Sequence, residues 1–167
     1  MDELKKAGEL IEKNSLDQAQ DILQKALEKN NEDDGALYLR ALIHQKRKSY
    51  NLAIDNFTRA IAIRRKKEYL RELALCNFEI FDLDEATKNL RGALEIDSED
   101  FISNFFYAMC LLLMDDPRAK KALEKAKSID GKKTKLLLKS FTDLFIMRDP
   151  KLSNSYKENV SVKIENF

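Results

Sequence analysis

Tryptophan is absent from the 167 residues, while histidine occurs once, cysteine and proline twice each and glycine four times. Such scarcity leaves little material for phosphate-cradling glycine loops, metal clusters or histidine-based catalysis, so neither an enzyme nor a bound cofactor is expected. Cys76 and Cys110 are too few for a disulfide framework and lack the close spacing of zinc ligands, which points to a reducing, cytoplasmic setting. Long apolar runs are missing as well. The longest, Phe105 to Met114, has ten residues, about half of the roughly 20 that a membrane-spanning helix needs. Met1-Asp-Glu-Leu-Lys-Lys has neither the basic start nor the apolar run of a secretory signal, so a soluble chain without a targeting segment is expected. Charge of one sign is lacking too: thirty basic against twenty-nine acidic residues leave +1, and no global field draws the protein to nucleic acid or an anionic membrane.

What the chain does have is a repeat. Ala7, Ala41, Ala74 and Ala108 stand 34, 33 and 34 residues apart, and a second series, Ala19, Ala53, Ala86 and Ala119, steps by 34, 33 and 33. Leu23, Phe57, Leu90 and Leu123 travel in the same phase, as do Ala26, Ala60, Ala93 and Ala126. With apolar positions recurring at three and four, helices are expected throughout. Ser15, Ser49, Asp82 and Asp116 fall between the two alanine series, and each is a residue whose side chain can accept from the free N–H groups of a helix start. Gln18 after Ser15 and Glu85 after Asp82 have capping-box spacing, and Pro117 suits a first helical position. Each unit therefore reads as helix, tight turn, helix. The alanines lie where helix axes approach closely, which only a side chain ending at Cβ permits.

A 34-residue unit with small residues at its helix crossings, and an aromatic or Leu before the last alanine as in Tyr50, Ala53, Phe57 and Ala60, resembles the tetratricopeptide repeat family. The resemblance covers residues 1–131 and implies an all-α, right-handed superhelical array of about four helix-turn-helix repeats, over 1–33, 34–66, 67–99 and 100–131. Residues 132–148, apolar at Leu136, Leu137, Leu138, Phe141, Leu144 and Phe145, are expected to form a capping helix, followed by a polar tail over 149–167.

The resemblance also implies a concave groove lined by the first helices: Tyr38, Leu42 and Gln45, then Arg71, Leu75 and Phe78, then Phe105, Met109 and Leu112. This row is mostly apolar, and only Arg71 and Lys46 could serve a carboxylate clamp. The expected function is a non-enzymatic interaction module, holding a partner helix or an extended apolar segment in the groove. Self-association, with the groove or the capping helix meeting a second copy, is the alternative, and the tail, through Tyr156, Val160, Ile164 and Phe167, is a candidate cover for the groove within one chain. Net charge alternates along the chain, −5 over residues 1–34, +8 over 35–67 and −7 over 68–100. Solvated complementary pairs explain this more simply than nucleic-acid binding by the clusters at His44–Lys48 and Arg64–Lys67, which lack interleaved aromatics. His44 is expected to pack within its repeat, and the cysteines to be small buried hydrophobes.

Overall fold

In the computed structural model, which describes residues 3–143 and 153–165, each repeat contributes two helices. The first helices are α1 (Glu3–Glu12), α3 (Asp34–Lys46), α5 (Lys67–Glu79) and α7 (Phe101–Leu113). The second helices are α2 (Leu16–Lys29), α4 (Tyr50–Ile63), α6 (Leu83–Ile96) and α8 (Ala119–Phe141), and α9 (Asn154–Glu165) follows. No strand occurs among the described residues. Two compact units divide the chain, residues 1–97 and 98–167.

The first unit holds α1 to α6. Each first helix packs on its own second helix, α3 also on α1 and α2, and α5 also on α3 and α4. At these crossings Ala7, Ala19, Ala41, Ala53, Ala60, Ala74, Ala86 and Ala93 have no exposed surface, and Leu23, Phe57 and Leu90 are fully buried beside them. The helix pairs are joined by turns of one design. Asn14, Lys48, Phe81 and, in the second unit, Asp115 have φ of 59°, 58°, 65° and 56°. The next residue closes the helix behind it: Ser15, Ser49, Asp82 and Asp116 donate their N–H to the carbonyls of Leu10, His44, Asn77 and Leu111 at 2.8–2.9 Å. This is the Schellman ending, in which a left-handed residue lets the chain satisfy two orphan carbonyls.

The expected caps need correction in three of four cases. Asp82 accepts from the Glu85 N–H at 3.2 Å, but Ser15 and Ser49 hold the N-cap position without a side-chain bond. Asp116 takes the Arg118 N–H at 2.8 Å and the Arg118 guanidinium as well, so Pro117 and Arg118 stay in the turn and α8 begins at Ala119. Two of the first helices are capped as well: Asp33 accepts from the Ala36 N–H at 2.9 Å and Asp100 from the Ser103 N–H at 3.0 Å.

In the second unit α7 packs on α8. Asp130 (φ −151°, ψ 91°) interrupts α8, so residues 131–141 form a separate helical segment. There Thr134, Leu138 and Phe141 are buried and Leu136 is exposed. The remainder of the expected capping helix, 144–148, lies outside the described residues, as does Phe167. Within the tail, 154–165 is helical, and the Tyr156 hydroxyl donates to the Leu113 carbonyl at 3.4 Å.

Candidate functional site

Helices α3 and α5 lie side by side in the first unit and carry six of the nine residues expected to line a groove. Tyr38 stacks on Tyr69 (centroids 4.5 Å apart, 23° between planes) and tilts against Phe57 at 5.7 Å. Burial, then the nearby Glu72 carboxylate, pushes its hydroxyl up to about 12. Gln45 donates to Glu72 at 3.2 Å, and Glu72 also holds the Arg71 guanidinium at 3.4 Å. Tyr38, Leu42, Gln45, Arg71 and Leu75 are all half-buried. This face is therefore less apolar than the sequence suggests: a bonded polar chain runs through it between the leucines.

The other four expected lining residues are buried. Phe78 is 3%, Phe105 2%, Met109 0% and Leu112 5% exposed. Their place in the repeat sets which way they point, but whether that side is covered depends on tertiary packing. For α7, apolar on nearly every side, burial on more than one face follows from composition. Cys76 and Cys110 are buried thiols, and burial pushes the Cys76 thiol up to about 12. His44 is half-buried, and desolvation, then Arg40 and Arg47, hold its pKa below the usual range.

The Arg64–Lys67 cluster is engaged by acidic neighbours. Arg64 lies 3.7 Å from Asp34, Lys66 2.9 Å from Asp34, Arg65 2.8 Å from Glu95 and Lys67 2.8 Å from Asp97. Lys66 and Asp34 both bond the Tyr69 hydroxyl at 2.8 Å. Burial works to raise the Asp34 pKa, but the bonds from Lys66 and Tyr69 and the charges of Lys66 and Arg64 outweigh it and hold the carboxyl below its usual range. Gly92 makes room for this belt, because a Cβ there would sit 3.1 Å from the Arg65 guanidinium. In the other cluster Arg47 reaches across to Asp17 and Gln20 on α2.

A second depression, missed by the sequence reading, opens on the far side of α5. It occupies about 460 Å³ between α4 and α6, with Ile54 and Thr58 on one wall, Asp82 and Asn89 on the other, and Leu73 and Asn77 at its base. Its signal in the sequence is a polar exception: Asn77 fills a slot held by Leu10 and Leu111 in the first and fourth repeats.

No group of His, Cys, Asp and Glu among the described residues is arranged to hold a metal ion. No helix among them is long and apolar enough to cross a membrane. The family model described as tetratricopeptide repeat matches residues 35–67, the second repeat. No curated protein matches the chain in sequence. Among solved structures the chain is similar to YrrB, described as a TPR protein with an unusual peptide-binding site, with 18% identity, TM-score 0.73, and 98% of this chain and 85% of that one covered. It is also similar to MamA, with 16% identity, TM-score 0.71 and coverages of 96% and 92%. MamA from Desulfovibrio magneticus RS-1 gives 17% identity, TM-score 0.70 and coverages of 78% and 75%. At such identities the likeness shows the fold. Repeat spacing, the family model over the second repeat and the fold agree on a tetratricopeptide-like array of helix-turn-helix repeats.

Proposed function

We propose that the protein is a non-enzymatic adapter whose α3–α5 face holds a segment of a partner protein. The fold itself supports a protein-interaction module, and such repeats are typically without catalytic chemistry. One observation carries the finer reading. Tyr38, Leu42 and Leu75 keep part of their surface exposed on adjacent helices, while their polar neighbours Gln45 and Glu72 are already bonded to each other. A ligand there gains apolar burial without stripping water from unpaired polar groups. The reading keeps the repeat boundaries set out from the sequence, and the two buried thiols fit a cytoplasmic setting. Peptide binding is stated for YrrB, and its fold likeness makes the same kind of ligand a reasonable one here.

Quantitative pull-down from the source cells, read by mass spectrometry, tests this. Leu75→Gln and Leu42→Gln should each reduce recovery of the bound partner about tenfold, the worth of one lost apolar contact, with helix content unchanged. Recovery of the same proteins at the same level by both variants would overturn the assignment. A wild-type complex containing only this chain would turn it into self-association.

A further inference from the structure

In three-dimensional terms, the slot shared by Leu10, His44, Asn77 and Leu111 is the inner side of each first helix, where an apolar residue would pack without cost. Asn77 is 5% exposed, yet its side-chain amide bonds to no other group among the described residues, although its backbone carbonyl accepts from the Asp82 N–H. No buried side-chain nitrogen or oxygen among those residues lacks a partner, so the amide must reach open space. The space it lines is the α4–α6 groove.

The preceding groove, between α2 and α4, shows what normally occupies this place. The residues equivalent to Leu73, Asn77 and Ile80 there are Arg40, His44 and Arg47. Arg40 bonds Asn56 at 2.8 Å, and Arg47 spans to Asp17 and Gln20. The chain supplies its own long polar side chains across that groove. With Leu73 and Ile80 in their places, the next one stays open, at a volume within the range of about 300–1,000 Å³ usual for ligand pockets.

We infer that the α4–α6 groove is a second peptide site, taking an extended, uncharged segment of a partner protein with a main-chain peptide group on the Asn77 amide. The chemistry selects that ligand. A side-chain amide offers two donors and an acceptor, the complement of a peptide N–H and C=O. A helical ligand has spent those groups internally, whereas an extended one has not. At the rim Lys88 is paired with Glu85 at 2.9 Å, and Asp82 keeps its negative charge while accepting from the Glu85 N–H, so an anionic ligand finds no free counter-charge there. Ile54, Ile61 and Leu73 offer an apolar seat for one of its side chains. Leu75 and Asn77 are two residues apart, about 200° around the helix, which sets this site on the opposite face of α5 from the one proposed above.

The test selects phage-displayed random peptides on the intact protein and measures those enriched by fluorescence anisotropy. Asn77→Leu installs the residue that the first and fourth repeats already carry, so it should fold at least as stably as the parent. Thr58→Arg blocks the rim from an exposed position. Peptides of one class, sharing an apolar residue, should bind about tenfold more weakly to Asn77→Leu, the worth of one or two hydrogen bonds. They should be lost on Thr58→Arg and keep full affinity for Leu75→Gln. N-methylation of one peptide bond in the ligand should reproduce the Asn77→Leu loss. The inference is overturned if no peptide is enriched, or if every enriched peptide keeps its affinity for both variants. Peptides sensitive to Leu75→Gln alone would overturn it too, while supporting the α3–α5 face.

Discussion

Phe81 is the residue under most local strain in the first unit. A bulky side chain in the left-handed region is a genuine outlier, and here nothing offsets it by burial, because Phe81 is 57% exposed. Asn14 holds the same conformation in the first repeat, where asparagine is tolerated. Phe81→Gly should therefore stabilise the protein by about 0.5–1 kcal/mol in urea melts: the left-handed penalty of roughly 1–2 kcal/mol is relieved, less the freedom that glycine adds to the unfolded chain. Asn14→Gly should change little. A loss of stability in Phe81→Gly would mean that the ring makes contacts worth more than its backbone costs.

At the scale of the helices, the crossings dominate. Ala60 has no exposed surface, so Ala60→Leu should cost roughly 1–3 kcal/mol by overpacking, whereas Ala62→Leu, on the exposed side of the same helix, should be close to neutral. Equal effects in thermal or urea unfolding would put the crossing elsewhere. The alanine series could be read from sequence because close approach of two axes demands a small side chain at a fixed place in every unit. Ser15, Ser49 and Asp82 marked the turns in sequence and hold the N-cap positions, but the left-handed geometry of the turns was not legible, since that position carries Asn, Lys, Phe and Asp in place of the glycine that would announce it. The spacing of Tyr156, Val160 and Ile164 by four was the sign of α9, among few other apolar residues. The site was half legible. Repeat phase points Tyr38, Leu42 and Leu75 to one side of their helices, but it carries no information about what covers Phe78, Phe105, Met109 and Leu112, nor about the space beside Asn77.

Across the molecule, the alternating charge resolves into ion pairs at the repeat turns, and Asp34 is the most enclosed carboxylate among them, its side chain 14% exposed. Because its folded pKa lies below the ordinary 3.8, its contribution is complete at neutral pH and is lost as the pH falls below that ordinary value and through the folded one. Asp34→Asn should lower stability at pH 7 and make the parent and variant converge in acid, as measured by urea midpoints along a pH series. A difference that stays constant down to acid pH would remove the carboxylate from the stability of this turn. The pairs also differ in polarity from one repeat to the next. In the second repeat the first helix brings the anion, Asp34, to Arg64, whereas in the third it brings the cation, Lys67, to Asp97. Repeats of one shape invite wrong partners during folding and between neighbouring chains. Closing α3 on α6 would oppose Asp34 to Asp97, and exchanging α5 onto the α4 of another copy would oppose Lys67 to Arg64. The reversed polarity thus marks which second helix belongs to which first one, and it disfavours mispaired and swapped arrangements that shape alone would accept.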